Sequence, residues 1–411
     1  MSWGLSRIAS LYKIRNTKVS DKDYMPLSVT MNGIVPQLET AAKTNAHDDR
    51  KLVRKGDFAI NSRSDRRGSC GISEYDGSVS LINTILAPLG EMNPNYYNWL
   101  FHTTQFADEF YKWGHGIVDD LWTTGWQDMK KIMIPVPPLQ EQKKIATFLD
   151  AQCTEIDALT ADIQTQIDTL EQYKRSVITE TVTKGLNLDA EMKDSGIDGA
   201  GVTPSHWKTT RLCYECYIRA RLGWRGLKAD EYVDEGYAFI SAFNIQNGKL
   251  VWTPLNYITK ERFDESPEIK LHSGDVLIVK DGAGVGKCAR VDDLPMGGTA
   301  PNSSIAVITP SKNLDYRYVC YYLQSAVFNN FVLLLYNGMG VPHLTQEVMS
   351  KIKILVPPLK EQMVISDYLD AKCSEIDAVV ETKKSQLATL DEYKKSLIFE
   401  YVTGKKEVPL S

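Results

Sequence analysis

Along two stretches of this chain the apolar positions recur every seven residues. In the first, Ile156, Ile163, Leu170 and Val177 fall seven apart, with Leu159, Ile167 and Tyr173 between them. In the second, Ile376, Leu390 and Leu397 hold the same register, with Val380, Leu387 and Tyr393 between them. Lys383 interrupts the second seam where the first has Ile163. A seam of this period runs down one side of a long helix and buries itself against another helix of the same kind. The natural partner of each seam is the other copy. The plainer alternative is that each seam is core of its own domain.

The two stretches are repeats. Lys131 to Thr183 aligns without a gap on Lys351 to Thr403, with about half the positions identical and an offset of 220. Such a repeat sets the architecture before any other reading. Each copy begins with a proline pair, Pro137-Pro138 and Pro357-Pro358, suited to the start of a helix. Glu141 and Glu361 then fall in the first turn, favourable against the helix dipole. Further in, Thr154-Glu155-Ile156-Asp157 and Ser374-Glu375-Ile376-Asp377 form capping patterns behind Asp150 and Asp370. This predicts a short helix, a kink or break near residues 150–154, and a long helix to about Thr183, with the second copy ending near Thr403-Gly404.

Outside the repeats, short apolar runs alternate with turn residues. Tyr237-Ala238-Phe239-Ile240 and Ser304 to Ile308 read as strands, and Gly56-Asp57-Phe58-Ala59-Ile60 matches Gly274-Asp275-Val276-Leu277-Ile278 as a turn feeding a strand. Residues 185–205 are rich in Gly and Asp and read as a linker. The chain therefore divides into a first head (1–136), a helical repeat (137–184), the linker, a second head (206–356), a second repeat (357–405) and a tail (406–411). The expected fold class is α+β. Two globular heads of small mixed sheet and helices are joined by two long helices in an antiparallel coiled coil, as a pseudo-twofold internal repeat.

Composition changes this picture little. The 411 residues have the make-up of a soluble globular protein, and the run Phe331 to Tyr336 is far shorter than the ~20 residues of a membrane span. The start, MSWGLSRIASLYK, lacks the pattern of a signal peptide, so a cytoplasmic protein with no membrane partner is expected. Seven scattered Cys argue against a disulfide framework, and the Cys213-x-x-Cys216 pair has no second pair to complete a zinc set. Cys153 and Cys373 are repeat equivalents expected to be small buried apolar residues.

Candidate chemistry is sparse. Asp281 to Lys287 (DGAGVGK) imitates a phosphate loop, but Asp281 stands where a Gly is needed and Cys288 where a Ser or Thr is needed. It reads instead as a glycine turn between strands, flanked by Lys280 and Lys287. Asn93-Pro-Asn-Tyr96 resembles an amino-methyltransferase motif but has Asn95 in place of its second Pro, and reads as a turn leading into a helix.

Charge is more informative than motifs. The net charge of −5 hides basic clusters mixed with aromatics. Lys13, Arg15 and Lys18 form one, Arg63, Arg66 and Arg67 a second, and Arg219, Arg221 and Arg225 a third, near Tyr214, Tyr217 and Trp224. Guanidinium groups bond phosphates or the O6/N7 edge of guanine, so these residues, with Lys280 and Lys287, are the candidate DNA contacts. Taken singly, each run also fits a solvated charged face.

PPLQEQKKIATFLD (137–150) and PPLKEQMVISDYLD (357–370), with their helical continuations, resemble the DNA specificity subunits of type I restriction–modification systems. MKDSG (192–196), PSHW (204–207) and the glycine strand pair at 274–291 are similar to that family too, whereas INSRSDRRGSCGIS in the first head departs from the glycine pattern. The resemblance implies that each head is a target-recognition domain reading half of a split, asymmetric DNA site. It implies that the helices set the spacer and dock two methyltransferase subunits, and that a restriction/translocase subunit completes the assembly. It further implies that methyl donor, Mg and ATP belong to those partners and that this chain is not catalytic. The runner-up is a scaffold whose duplicated helices bridge proteins without reading DNA. A third reading is a stand-alone nuclease or methyltransferase.

Overall fold

The structure, a computed structural model, describes residues 3–37, 47–63, 67–116, 122–221, 227, 231–282, 284–336 and 343–409. The chain forms two compact units, residues 1–164 with 384–411, and residues 165–383. Two helices contribute to both units, Leu139–Lys184 and Leu359–Val402.

Each long helix is continuous, so of the expected kink or break at 150–154 the break does not occur. The Thr154 hydroxyl does not cap a new helix; it donates to the Asp150 carbonyl one turn back at 2.6 Å. That bond competes with capping and leaves the helical ladder intact. The starts are set by Pro138, whose carbonyl accepts the N–H groups of Glu141 and Gln142 at 2.9 and 3.0 Å, and by Pro358 in the same way. Both helices end on a glycine with positive φ, Gly185 at 74° and Gly404 at 72°. A glycine is needed there because side chains are strained in that conformation.

Within each unit the helices pair antiparallel. In the first unit Phe148 meets Tyr401 and Asp157 meets Lys394, so one number rises as the other falls. In the second, Lys383 donates to Gln166 and Lys174 to Asp377. Ile156, Ile376 and Leu397 are buried in the seam, and Ile163, Leu170, Val177, Leu387 and Leu390 are half-buried. Of the seam's expected intervening positions, Ile167, Val380 and Leu387 face inward and the other three do not. Leu159, Tyr173 and Tyr393 are about half exposed, while Thr160, Lys174 and Lys394 turn inward beside Ile167 and Val380. Cys153 and Cys373 are buried at equivalent points of the seam.

The head of the first unit is built on strands β1 (Tyr12–Ile14), β2 (Phe58–Asn61), β3 (Cys70–Ile72) and β4 (Asn83–Pro88), in the sheet order β1-β4-β2-β3. Helices α1 (Pro94–Phe101) and α2 (Thr104–Lys112) follow. The second unit repeats this with β5 (Cys216–Arg219), β6 (Val276–Val279), β7 (Cys288–Arg290) and β8 (Ile305–Pro310), ordered β5-β8-β6-β7, then α3 (Tyr316–Gln324) and α4 (Ala326–Tyr336). The registers match as well. Ile14 and Phe58 both pair with Leu86, and Ile218 and Val276 both pair with Ile308. The repeat therefore extends into the heads, where the sequences have diverged.

Each head also closes beside its long helix. Leu5–Arg7 pairs with Met133–Pro135, and Lys208–Arg211 pairs with Lys353–Val356. The expected linker is ordered in part: Met192–Asp194 and Val202–Pro204 form a hairpin, and Lys193 donates to the Trp207 carbonyl at 2.6 Å. Among the described residues no single helix is long and apolar enough to cross a membrane; α3 and α4 satisfy length and composition only as a pair bent by 56°.

Candidate nucleic-acid interface

The repeated Pro-Pro-Leu-x-Glu-Gln holds each head to its helix. Gln142 is buried; its side-chain carbonyl accepts the Asn93 N–H at 2.8 Å and its amide donates to the Pro137 carbonyl at 2.9 Å. Gln362 does the same with the Asp315 N–H and the Pro357 carbonyl, both at 2.8 Å. Asn93 and Asp315 are themselves the N-caps of α1 and α3. One glutamine thus ties the start of a head helix to the start of a long helix. The NPNY turn is consequently a cap, with the Asn93 side chain accepting from the Tyr96 N–H at 2.9 Å.

A second tie reaches the other long helix. Tyr96 donates to the Val402 carbonyl at 2.8 Å in the first unit, and Tyr318 lies 3.2 Å from the Val182 carbonyl in the second. Both carbonyls belong to last turns, which lack helical partners. In the second unit Glu361 adds a third tie, accepting from Trp207 Nε1 at 3.0 Å and lying 2.8 Å from His206 Nε2.

Several expected DNA contacts are internal to the heads. Arg219 is buried, donating to Asp275 at 2.5 Å and to the carbonyls of Glu268 and Lys270. Arg15 occupies the equivalent place in the first head and pairs with Asp57 at 2.6 Å. Arg221 is packed against Ser266, with its guanidinium 3.9 Å from Glu265. The assignments of Arg219 and Arg221 are corrected to structural roles, because their side chains are enclosed and their donors are held within the head; Arg15 is paired but partly exposed. Lys18 is exposed and paired with Asp49 at 2.6 Å, and Lys280 is paired with Asp281 at 2.8 Å. Lys13, Arg63, Arg67 and Lys287 are exposed. Arg66 and Arg225 lie outside the described residues.

The structure brings some exposed candidates together. In the first head Arg63 and Arg67 stand at the end of the β2–β3 hairpin, where residue 63 bridges to Thr123. Arg67 is paired with Asp108 of α2 and lies 5.1 Å over the Tyr111 ring. In the second head the matching end of the β6–β7 hairpin carries Asp281, which sits between Lys280 and His343, the latter at 2.6 Å. Burial alone would raise the Asp281 carboxyl, but hydrogen bonds from His343 and Lys280 outweigh it and hold it below the ordinary carboxylate value. The same position thus offers different chemistry in the two heads. Sequence reasoning missed Asp108, Tyr111, Trp122 and His343, which are far from the charge runs in the chain. Among the described residues, no three His, Cys, Asp or Glu side chains gather as a metal site.

The family model described as the type I restriction modification DNA specificity domain matches this chain twice, over residues 2–169 and 223–389. The chain belongs to that family. The first match spans a head and much of the long helix that follows it; the second begins after β5 and covers the rest of its head and much of its long helix. The MjaVIII specificity subunit of Methanocaldococcus jannaschii is 26% identical over 282 residues, covering 68% of this chain and 63% of that protein. The EcoKI specificity subunit of Escherichia coli is 24% identical over 210 residues, covering 50% of this chain and 44% of that one. The chain thus spans less than two thirds of these relatives. The fold is shared with a chain from a structure of type I R-M complex assembly, at TM-score 0.73, 16% identity and 98% coverage of both chains. The HsdS subunit of Thermoanaerobacter tengcongensis matches at TM-score 0.50 and 18% identity, covering 98% of this specificity-domain chain and 97% of its own.

Proposed function

We propose that this chain is the DNA sequence-specificity subunit of a type I restriction–modification complex. The observation that carries this reading is the doubled family match, each copy falling on a head of the same sheet order clamped by the same glutamine to a long helix. Each head reads one half of a split double-stranded DNA site. Because the heads carry different residues on a shared framework, the two half-sites differ. The paired helices set the spacer and dock two methyltransferase subunits, and a restriction/translocase subunit completes the assembly. Methyl donor, Mg and ATP act on those partners; this chain is the non-catalytic reader, working in the cytoplasm. Two readers on one chain read two half-sites a set number of base pairs apart, as dimeric readers do.

The test is co-expression with methyltransferase subunits and mapping of methylated sites. Replacing residues 1–136 with the head of a relative should change one half-site only. Removing whole heptads from both long helices should shorten the spacer. Unchanged sites in both experiments would leave the scaffold reading standing instead.

A further inference from the structure

The end of the first head's hairpin carries a stacked column. Trp122 lies against Tyr111 with ring centroids 5.7 Å apart and planes at 26°. The Trp122 indole N–H donates to the Tyr111 carbonyl at 2.9 Å, which fixes the pair. Gly114 leaves the room for this, since a Cβ there would collide with the Trp122 indole. Arg67 caps the column, 5.1 Å over the Tyr111 ring. Asp108, one turn before Tyr111 on α2, is paired with Nη2 of the guanidinium, and the Arg67 side chain is still 48% exposed. Arg63, also exposed, stands beside it on the same hairpin end.

We propose that Arg67 is a base-reading residue of the first head and that its target is a guanine. A guanidinium has five N–H donors in a rigid fork, so a carboxylate on one edge leaves another edge for a bidentate contact. The O6 and N7 atoms of guanine in the major groove match that edge. Tyr111 and Asp108 hold the long side chain in one orientation before DNA arrives, which is what a selective contact needs. Arg63 has no such support among the described residues and serves as a phosphate contact, which positions the head without reading sequence. The equivalent place in the second head carries Asp281 with Lys280 and His343, so that head reads its half-site with other groups. The inference rests on the proposed DNA-reading function.

The full-length chain, co-purified with methyltransferase subunits, is used to select duplexes from a random-sequence pool. The unaltered protein should enrich a two-part site; enrichment of no sequence overturns both this assignment and the proposed function. R67K should relax one G·C pair in the half-site assigned to the first head by head exchange, by roughly ten- to hundred-fold. The other half-site and the spacer should be unchanged. D108N keeps Arg67 but removes its support, and should relax the same pair by a smaller factor. R63A should weaken binding to all selected sites alike and reduce the salt slope by about one. If R67K and D108N keep the selected sequence while thermal unfolding shows them folded, Arg67 is only a surface tie between hairpin and α2. If R67K is unfolded, D108N decides alone.

Discussion

Gln142 and Gln362 occupy the same place in the two repeats and make the same pair of bonds. Each accepts a helix-capping N–H and donates to the carbonyl of the first proline of its motif. Gln362 is 0% exposed, so none of its polar atoms can turn to water instead. The carboxamide both accepts and donates in this position without carrying charge. Replacement of either by Glu keeps the shape but removes the donor, leaving a buried carboxylate facing a carbonyl. The expected loss is at least about 1–3 kcal/mol for each, the cost of an unsatisfied neutral group, and more where the carboxylate stays charged; it is read by urea unfolding, and an unaltered midpoint would show that the glutamine is no clamp.

Tyr96 and Tyr318 complete the hold on the opposite long helix. Tyr96→Phe strips the Val402 carbonyl of its partner and should cost about 1 kcal/mol. Tyr318→Phe should cost at least as much, because its hydroxyl also lies 2.9 Å from the Leu355 carbonyl. Amide exchange in the last turns of the long helices measures the effect locally. Faster exchange is expected near Val402 in the first variant and near Val182 in the second.

Arg219 and Asp275 form an enclosed ion pair in the second head, with side chains 8% and 1% exposed. Asp275→Ala leaves a buried, unpaired guanidinium and should destabilise by about 3–5 kcal/mol. Asp57→Ala in the first head should cost less, since Arg15 is 28% exposed and can turn to solvent. Equal losses from the two substitutions would show that burial does not set the difference.

Lys174 and Lys394 sit at equivalent inward positions of the seam and reach across to Asp377 and Asp157 at 2.6 Å. Such partly exposed pairs contribute about 0–1 kcal/mol. An apolar side chain in the seam contributes more, so Lys174→Leu and Lys394→Leu should raise the melting temperature. The lysines' value is register, as polar seam residues specify alignment at a cost in stability. A fall in melting temperature would show that the ion pairs outweigh apolar burial.

Asp370 links stability to pH in the second unit. Burial would raise its carboxyl, but hydrogen bonds from Tyr321 and Arg290, the Arg290 charge and a bond from Arg317 overcome this and lower it. A lowered folded value means the stabilisation is present above the ordinary Asp value of ~3.9 and is lost as pH falls below it. Asp370→Asn should therefore flatten the acid limb of a stability–pH curve for this unit. An identical limb in the variant would assign the acid sensitivity to other carboxylates.

Some of this was legible along the chain and some was not. The seam residues Ile156, Ile376 and Leu397 were readable because a helical period is local. Leu159, Tyr173 and Tyr393 were misread because apolar character marks a residue that can be buried, not one that is; the inward places went to Thr160, Lys174 and Lys394. Arg219 and Arg221 read as DNA contacts along the chain because a charge run does not show the groups some 45 or more residues away that enclose it.

By itself the sequence determined the duplication, the two long helices and where each of them starts and stops. These follow from short-range rules: a seven-residue period, a proline pair, a glycine stop. Tertiary structure alone decided that both heads share one sheet order, that the motif's glutamine is a clamp, and which arginines face outward. Those outcomes depend on groups distant in the chain meeting in space, Gln142 with Asn93 and Arg67 with Asp108, and no local pattern encodes such a meeting.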